Sequence, residues 1–302
     1  MMLARLFQET SRAIHAAGLP DGRREAAVLI AHVLKSDFTI VYTRPDLEVS
    51  DEQLKEIRAA TCRRTQREPL AYITGSTWFM NGQFAAGPGV LIPRPDSEIL
   101  AEKALSVAEG LEPAVLDVLD ACAGTGCVGI SVAAMLLRQN RLGRLMLTEI
   151  DPDAAGYAAR NLARYPLEGR AELLLADLLP DRMQGYWHLI LANPPYIRRD
   201  QIDSLMPEVS RFEPRLALDG GLDGLDFYRR LIGESPAILR PGGVLLLEHG
   251  YDQAEAVASL FIGDGRYELI APVLDYGGQP RVSGGYYRAA GGPDGGRHAG
   301  TI

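Results

Sequence analysis

Val118-Leu119-Asp120-Ala121-Cys122-Ala123-Gly124-Thr125-Gly126-Cys127 decides the fold of this chain. An apolar run that reads as a strand ends in small residues and two glycines, and helical spacing follows over 126–137. Glycine lets a backbone approach a ligand closely, and the start of the next helix presents free N–H groups. A dinucleotide-binding turn would read G-x-G-x-x-G. This loop carries only G-x-G, with Asp120 before it. A carboxylate there can meet an ammonium, which suits a ligand with an amino-acid moiety better than a pyrophosphate.

Outward from this loop, strands and helices alternate. Strands are predicted over 115–120, 145–150, 172–175, 188–192 and 244–248, with two more near 267–273 and 281–287. Helices are predicted over 126–137, 152–165, 227–239 and 253–261. That order implies an α/β fold, a parallel sheet with helices on both faces. Upstream, residues 1–70 read as a small helical domain. Leu3, Leu6, Phe7 and Ile14 begin an apolar face, and Ser50-Asp51-Glu52-Gln53 opens a helix before Leu54 and Ile57. By itself such a segment is a plain helical bundle. Between the two, Tyr72-Ile73-Thr74 and Trp78-Phe79 are strand formers, and Asn81-Gly82 is a turn signal before Phe84. A β-hairpin linker is therefore expected over 71–92, the α/β domain over 93–288, and a disordered Gly-rich tail over 289–302.

Ordinary globular composition (47% hydrophobic, 23% charged) allows a sizeable core across 302 residues. Net charge −8 argues against a broad basic footprint for naked nucleic acid. Cys62, Cys122 and Cys127 lack metal-ligand spacing, so reduced thiols in a cytoplasm and no metal are expected. No apolar run approaches the roughly 18 residues of a membrane span.

In open α/β sheets ligands bind at the carboxyl ends of strands. The second strand ends Thr148-Glu149-Ile150-Asp151, where Glu149 can accept both hydrogens of a ribose diol and Asp151 can cap the helix beginning at Pro152. The third ends Ala176-Asp177-Leu178: the acid can accept from an adenine amine and the leucine can pack on the ring. Singly, each acid reads more simply as a cap or a solvated loop residue. Together at strand ends they imply S-adenosylmethionine, with S-adenosylhomocysteine as product. The fourth strand runs into Asn193-Pro194-Pro195-Tyr196. Two prolines cannot donate to a ladder, so the strand stops in a rigid turn. The Asn193 side-chain oxygen and the Pro194 carbonyl are two acceptors, suited to holding a planar –NH2 group, with Tyr196 against its plane.

These residues resemble a Rossmann-like class I methyltransferase, and the wider set resembles the peptide-chain release factor glutamine methyltransferases (PrmC/HemK). The resemblance rests on Pro69-Leu70-Ala71-Tyr72-Ile73-Thr74-Gly75, Val90-Leu91-Ile92-Pro93-Arg94-Pro95-Asp96-Ser97-Glu98, the Asp120–Gly126 loop, Asn193-Pro194-Pro195-Tyr196-Ile197, Phe212-Glu213-Pro214, Gly220-Gly221-Leu222-Asp223-Gly224-Leu225 and Pro241-Gly242-Gly243. It implies N5-methylation of the glutamine in the Gly-Gly-Gln loop of bacterial-type class I release factors. Cys122, Ala123, Gly124, Thr125, Gly126, Glu149, Asp177, Leu178 and Asn193 would then hold the cofactor. Asn193, Pro194, Pro195 and Tyr196 would hold the substrate, with Asn193, Pro194 and Tyr196 catalytic. The helical domain would recognise the protein substrate, and a monomer is expected. Cys122 stands where the family usually has glycine, Glu149 where it has aspartate, and Asp96-Ser97-Glu98 where it has Glu-Thr-Glu. Competing readings are an enzyme methylating a base amine of DNA or RNA, a ribosomal-protein glutamine methyltransferase, and a non-enzymatic adaptor. The chain's own Gly277-Gly278-Gln279 reads as a glycine turn between two strands.

Overall fold

The computed structural model describes residues 1–167, 169–180 and 187–288. The expected tail over 289–302 lies outside them. The chain forms two compact units: Met1–Thr77, Ala85–Ile92 and Asp203–Pro214 make the first, and the remaining described residues the second.

The first unit holds helices α1 (Leu3–Ala16), α2 (Gly22–Leu34), α3 (Ile40–Thr43), α4 (Asp51–Thr65) and α5 (Leu70–Thr74). Leu3, Leu6, Ile14, Leu29, Ile30 and Ile57 share one apolar core. The expected start of α4 is a reciprocal cap: Gln53 N donates to Ser50 Oγ (3.2 Å) and Ser50 N to Gln53 Oε1 (3.1 Å). Arg64 is only 4% exposed. Its guanidinium donates twice to Glu25 (2.7 and 3.1 Å) and to Glu208 (3.1 Å), and Arg67 also reaches Glu208 at 2.7 Å. Burial opposes the Arg64 charge, but the two carboxylates outweigh it and hold its pKa above the ordinary value.

Two expectations are corrected here. Tyr72-Ile73-Thr74 is helical, lying within α5, which enters after Pro69 and leaves at Gly75 with φ 76°. Ala71 and Tyr72 pack with Ile92 and Phe212, and the Tyr72 hydroxyl donates to Val90 O at 2.7 Å. This burial overrides the β preference of the local sequence. The hairpin is accordingly shorter than 71–92: β1 spans Ser76–Phe79 and β2 Gly82–Ala85, and Met80 takes the positive φ of the turn (50°).

The second unit is built on strands β3 (Leu116–Ala121), β4 (Leu142–Glu149), β5 (Ala171–Leu175), β6 (Trp187–Ala192), β7 (Leu239–Glu248), β8 (Tyr267–Leu274) and β9 (Pro280–Tyr287), in the order β5-β4-β3-β6-β7-β9-β8. The first five are mutually parallel. The sheet is mixed rather than wholly parallel, because β9 pairs antiparallel with both β7 and β8. The 275–279 link is too short for a parallel crossover, so β8 and β9 form a hairpin. Gly277-Gly278-Gln279 lies in that link as the expected turn, with Gly278 at φ 79° and the Gly277 and Gln279 N–H groups on Asp275 Oδ1.

Neighbouring strand residues face opposite layers. Val118, Leu189, Leu191 and Leu246 pack with α6 (Glu98–Glu109) and α7 (Cys127–Arg138). Leu119, Ile190, Leu245 and Leu247 pack with Tyr228, Leu231 and Phe261 from the helices Asp226–Glu234 and Ala254–Asp264. The helix expected over 227–239 ends at Glu234. A 3-10 turn over Ser235–Ala237 follows, and Leu239 already opens β7. Pro236 supplies no N–H to continue the helix. Among the described residues no helix is long and apolar enough to cross a membrane.

Candidate functional site

The chain leaves β3 for neighbours on one side (β4, β5) and returns through β6 on the other, so the carboxyl ends of β3 and β6 flank the crevice where such sheets bind ligands. The loop after β3 is tightly folded. Cys122, Gly124 and Gly126 all take positive φ (58°, 56° and 77°). Ala123 N donates to Thr148 O, Gly126 N to Ala123 O, and Asn161 Nδ2 to Thr125 O. Ala123 and Thr125 are buried, which leaves backbone as the main approach surface of the loop. Cys122 thus adopts a conformation that glycine takes without steric cost.

Asp120 does not face outward to meet an ammonium as its position suggests. It is 2% exposed, and its Oδ2 accepts from Gly129 N at 2.8 Å inside α7. A Cβ on Gly129 would sit 2.7 Å from the Asp120 Cβ, so strand and helix meet there through a glycine. Burial pushes the Asp120 carboxyl up to about 7, against the Gly129 N–H and with help from the Glu149 charge. Glu149 carries the loop: its Oε2 accepts from Gly124 N (2.8 Å), and its Oε1 from Ile150 N (2.8 Å) and Asp151 N (2.9 Å). A carboxylate has about four acceptor sites, so these bonds leave capacity for a ligand hydroxyl. Asp151 caps the helix α8 (Pro152–Leu162), accepting from Asp153 N. Asp177 is exposed and ion-paired with Arg230 at 3.0 Å. Leu178 has φ 67° and is buried beside Leu119 and Met146. The structure brings Glu149, Asp120 and Asp177 within electrostatic reach of Cys122, and burial together with these charges holds its thiol protonated, well above the ordinary range. Backbone cradle, spare carboxylate capacity and clustered negative charge fit a cationic ligand carrying a diol.

The turn after β6 forms the other half. Pro194 and Pro195 are buried, Asn193 and Tyr196 partly so. Asn193 Nδ2 donates to Ser97 Oγ at 3.1 Å, which leaves its Oδ1 as the acceptor for other groups. The backbone of the turn is clamped from behind. Ile197 N donates to Leu218 O, and Gly220 N returns a bond to Ile197 O. Gln253 Nε2 donates to Tyr196 O (3.0 Å) and Gly224 O (3.2 Å). A Cβ on Gly220 would lie 2.7 Å from Tyr196 Cα, and one on Gly224 2.5 Å from Tyr196 O. The Gly220–Leu225 element therefore shapes the Asn193–Tyr196 turn. Burial pushes the Tyr196 hydroxyl up to about 12, so it remains a phenol and not a base. Sequence reasoning passed over Ser97, Gln253 and Glu248 as site residues. The only local hint was Ser97 within the Ile-Pro-Arg-Pro-Asp-Ser-Glu element. Among the described residues no group of three His, Cys, Asp or Glu side chains could hold a metal.

A glycine-rich loop, acids on successive strand ends and an acceptor turn on this mixed sheet define a Rossmann-like class I methyltransferase. The catalytic domain of hMettl16, solved in complex with a 3′UTR hairpin, shares the fold at 13% identity (81% of this chain, 84% of that one, TM-score 0.54). Family models match the PrmC N-terminal domain over residues 5–75 and the methyltransferase small domain over 98–209. The release factor glutamine methyltransferase of Geobacter sulfurreducens is 37% identical over 89% of this chain and 90% of that protein. That of Rhodospirillum rubrum is 38% identical over 96% and 87%. The chain belongs to the release factor glutamine methyltransferase family, PrmC/HemK.

Proposed function

We propose that the protein transfers a methyl group from S-adenosylmethionine to the side-chain amide nitrogen of the glutamine in the Gly-Gly-Gln motif of bacterial-type release factors. The observation that carries this reading is the polarity of Asn193: with Nδ2 committed to Ser97, its Oδ1 is presented as an acceptor at the end of β6. The backbone around Cys122–Gly126, Glu149, and the segment Asp177–Leu178 would hold the cofactor, which supplies an electrophilic methyl group on a cationic sulfur.

An amide nitrogen is a weak nucleophile because its lone pair is delocalised. Asn193 Oδ1 accepts one of its hydrogens and the Pro194 carbonyl the other, with Pro195 stiffening the turn and Tyr196 packed along the amide plane. This arrangement directs the lone pair and enriches it. As the new C–N bond forms and the C–S bond breaks, the nitrogen acquires positive charge that the two acceptors stabilise, and one N–H proton then passes to water. Catalysis is mainly positioning and fixed dipoles, effects worth several kcal/mol. Net charge −8 disfavours a nucleic-acid amine as the alternative substrate.

Asn193→Ala is expected to abolish turnover while cofactor affinity, read by calorimetry, stays within about threefold, since the acceptor lost is the one that holds the substrate amide. Mass spectrometry should locate one methyl, about 14 Da, on the Gly-Gly-Gln glutamine of the release factor. Transfer to nucleic acid, or undiminished turnover by the alanine variant, would refute the reading.

A further inference from the structure

Ser97 stands at the start of α6, where a serine ordinarily caps the helix. Its hydroxyl makes no cap bond. It is 2% exposed and lies between two side chains from distant elements. Asn193 Nδ2, in the turn after β6, donates to Ser97 Oγ at 3.1 Å. On its other side Ser97 meets Glu248, the last residue of β7, which is 1% exposed and whose carboxylate the Ser97 hydroxyl favours in its charged form.

A hydroxyl has a single proton to give. While that proton goes to Glu248, Ser97 can only accept from Asn193, so the amide must turn Nδ2 toward Ser97 and Oδ1 away. Without an obligatory acceptor behind it, the hydroxyl can donate to Oδ1 instead. The amide then turns over and meets the substrate –NH2 donor against donor. We propose that Glu248, acting through Ser97, is a positioning residue that sets which end of the Asn193 amide faces the substrate. The proposal rests on the acceptor role of Asn193 given above.

Two further features support it. One Glu248 oxygen, Oε2, is buried and has no hydrogen-bond partner among the described residues. Burying a carboxylate with one oxygen unmatched is costly, so packing alone gives no reason for it. An ionised carboxylate is the side chain that accepts from Ser97 and cannot donate back. Its ionisation also falls in a useful range: burial pushes Glu248 up to about 7, with the Ser97 hydrogen bond, Arg281 and Arg94 lowering it and Asp96 raising it. Tyr196, Tyr228 and Cys127 also sense the Glu248 charge, but burial keeps all three protonated across this range. Below about pH 7 a protonated Glu248 can donate to Ser97, and the direction of the chain is lost.

The test is steady-state methylation of an intact release factor between about pH 6 and pH 8.5, with calorimetric cofactor affinity and thermal melting on each variant. For the wild type, kcat is expected to fall at least about tenfold from pH 8 to pH 6 as Glu248 takes up its proton, with Asp120, also pushed up to about 7 by burial, titrating over the same range. Glu248→Gln keeps an acceptor but loses titration and direction, so its kcat should be about three- to tenfold lower at pH 8 and its acid limb shallower, retaining only what Asp120 contributes. Ser97→Ala should lower kcat about tenfold with KM and cofactor affinity within about twofold, and Ser97→Thr, which restores the hydroxyl, should recover it. An unchanged acid limb in Glu248→Gln, or wild-type kcat in Ser97→Ala, overturns the proposal. Both results combined with an inactive Asn193→Ala would leave the acceptor role standing. An active Asn193→Ala would instead overturn the underlying reading.

Discussion

Both units bury charge, and they treat it differently. In the first, Arg64 is enclosed by Glu25, Glu208 and the Glu68 carbonyl, so its buried charge has opposite partners, and neighbouring Arg67, although its Nε is unmatched among the described residues, still pairs with Glu208. In the second, Glu248 is at least as deeply buried, and among the described residues no opposite charge is bonded to it and one oxygen has no hydrogen-bond partner. A matched cluster is bound up with structure: removing one member strands the others in a medium that solvates them poorly. An incompletely matched group at the end of a central strand imposes a cost that packing does not repay, and such groups gather where chemistry is done. The same physics thus separates a region built to hold its shape from the one proposed to hold the substrate.

The largest effect that would sharpen this contrast is expected at Arg64. Arg64→Leu leaves Glu25 without its ion-pair partner and Glu208 with Arg67 alone, and should cost about 3 kcal/mol in denaturant unfolding. If the helical unit serves recognition of the release factor, methylation of the intact protein should fall more than that of a short Gly-Gly-Gln peptide. Equal losses on both substrates would break the division of labour. Deleting residues 1–70 is a poorer test, because it removes both Arg64 and Arg67 and would strand Glu208.

Next comes the clamp behind the substrate turn. Gly224 has φ 76°, and its Cβ would press on Tyr196 O. Gly224→Ala should therefore displace the turn and lower kcat about 100-fold, with cofactor affinity nearly unchanged, because a small misplacement of reacting groups is expensive. Equal loss of cofactor binding would show that the two halves of the site are not separable.

The smallest effect is expected at Cys122. Cys122→Gly relieves a positive φ but loosens the unfolded chain, two terms of about 1 kcal/mol and opposite sign. Thermal stability should shift by less than about 1 kcal/mol, and a larger change would mean the thiol contributes packing beyond its backbone conformation.

Local signals were legible wherever local physics decided the outcome. Ser50 and Gln53 are three residues apart and form the reciprocal cap their types predict. Asp151 caps α8, one residue before its proline. The alternation from β3 to β7 was readable because strands buried on both faces are continuously apolar. Tyr72-Ile73-Thr74 misled because strand-forming residues can be held helical when a tertiary core receives them. Asp120 misled because its type and position suit a ligand equally well, and only the approach of Gly129 shows that the carboxylate braces a helix.

By itself, the sequence determined the layered α/β architecture, the glycine loop, the acids on successive strand ends and the rigid Asn-Pro-Pro-Tyr turn. These follow from short-range rules: apolar periodicity, proline's missing donor and glycine's freedom. The tertiary structure alone decided the antiparallel β9, the Arg64 ion cluster and the orientation of the Asn193 amide. Each depends on groups brought together from far apart in the chain, such as Ser97, Asn193 and Glu248. A side-chain amide can present either end, and what settles it is the hydrogen bonding of its folded neighbours.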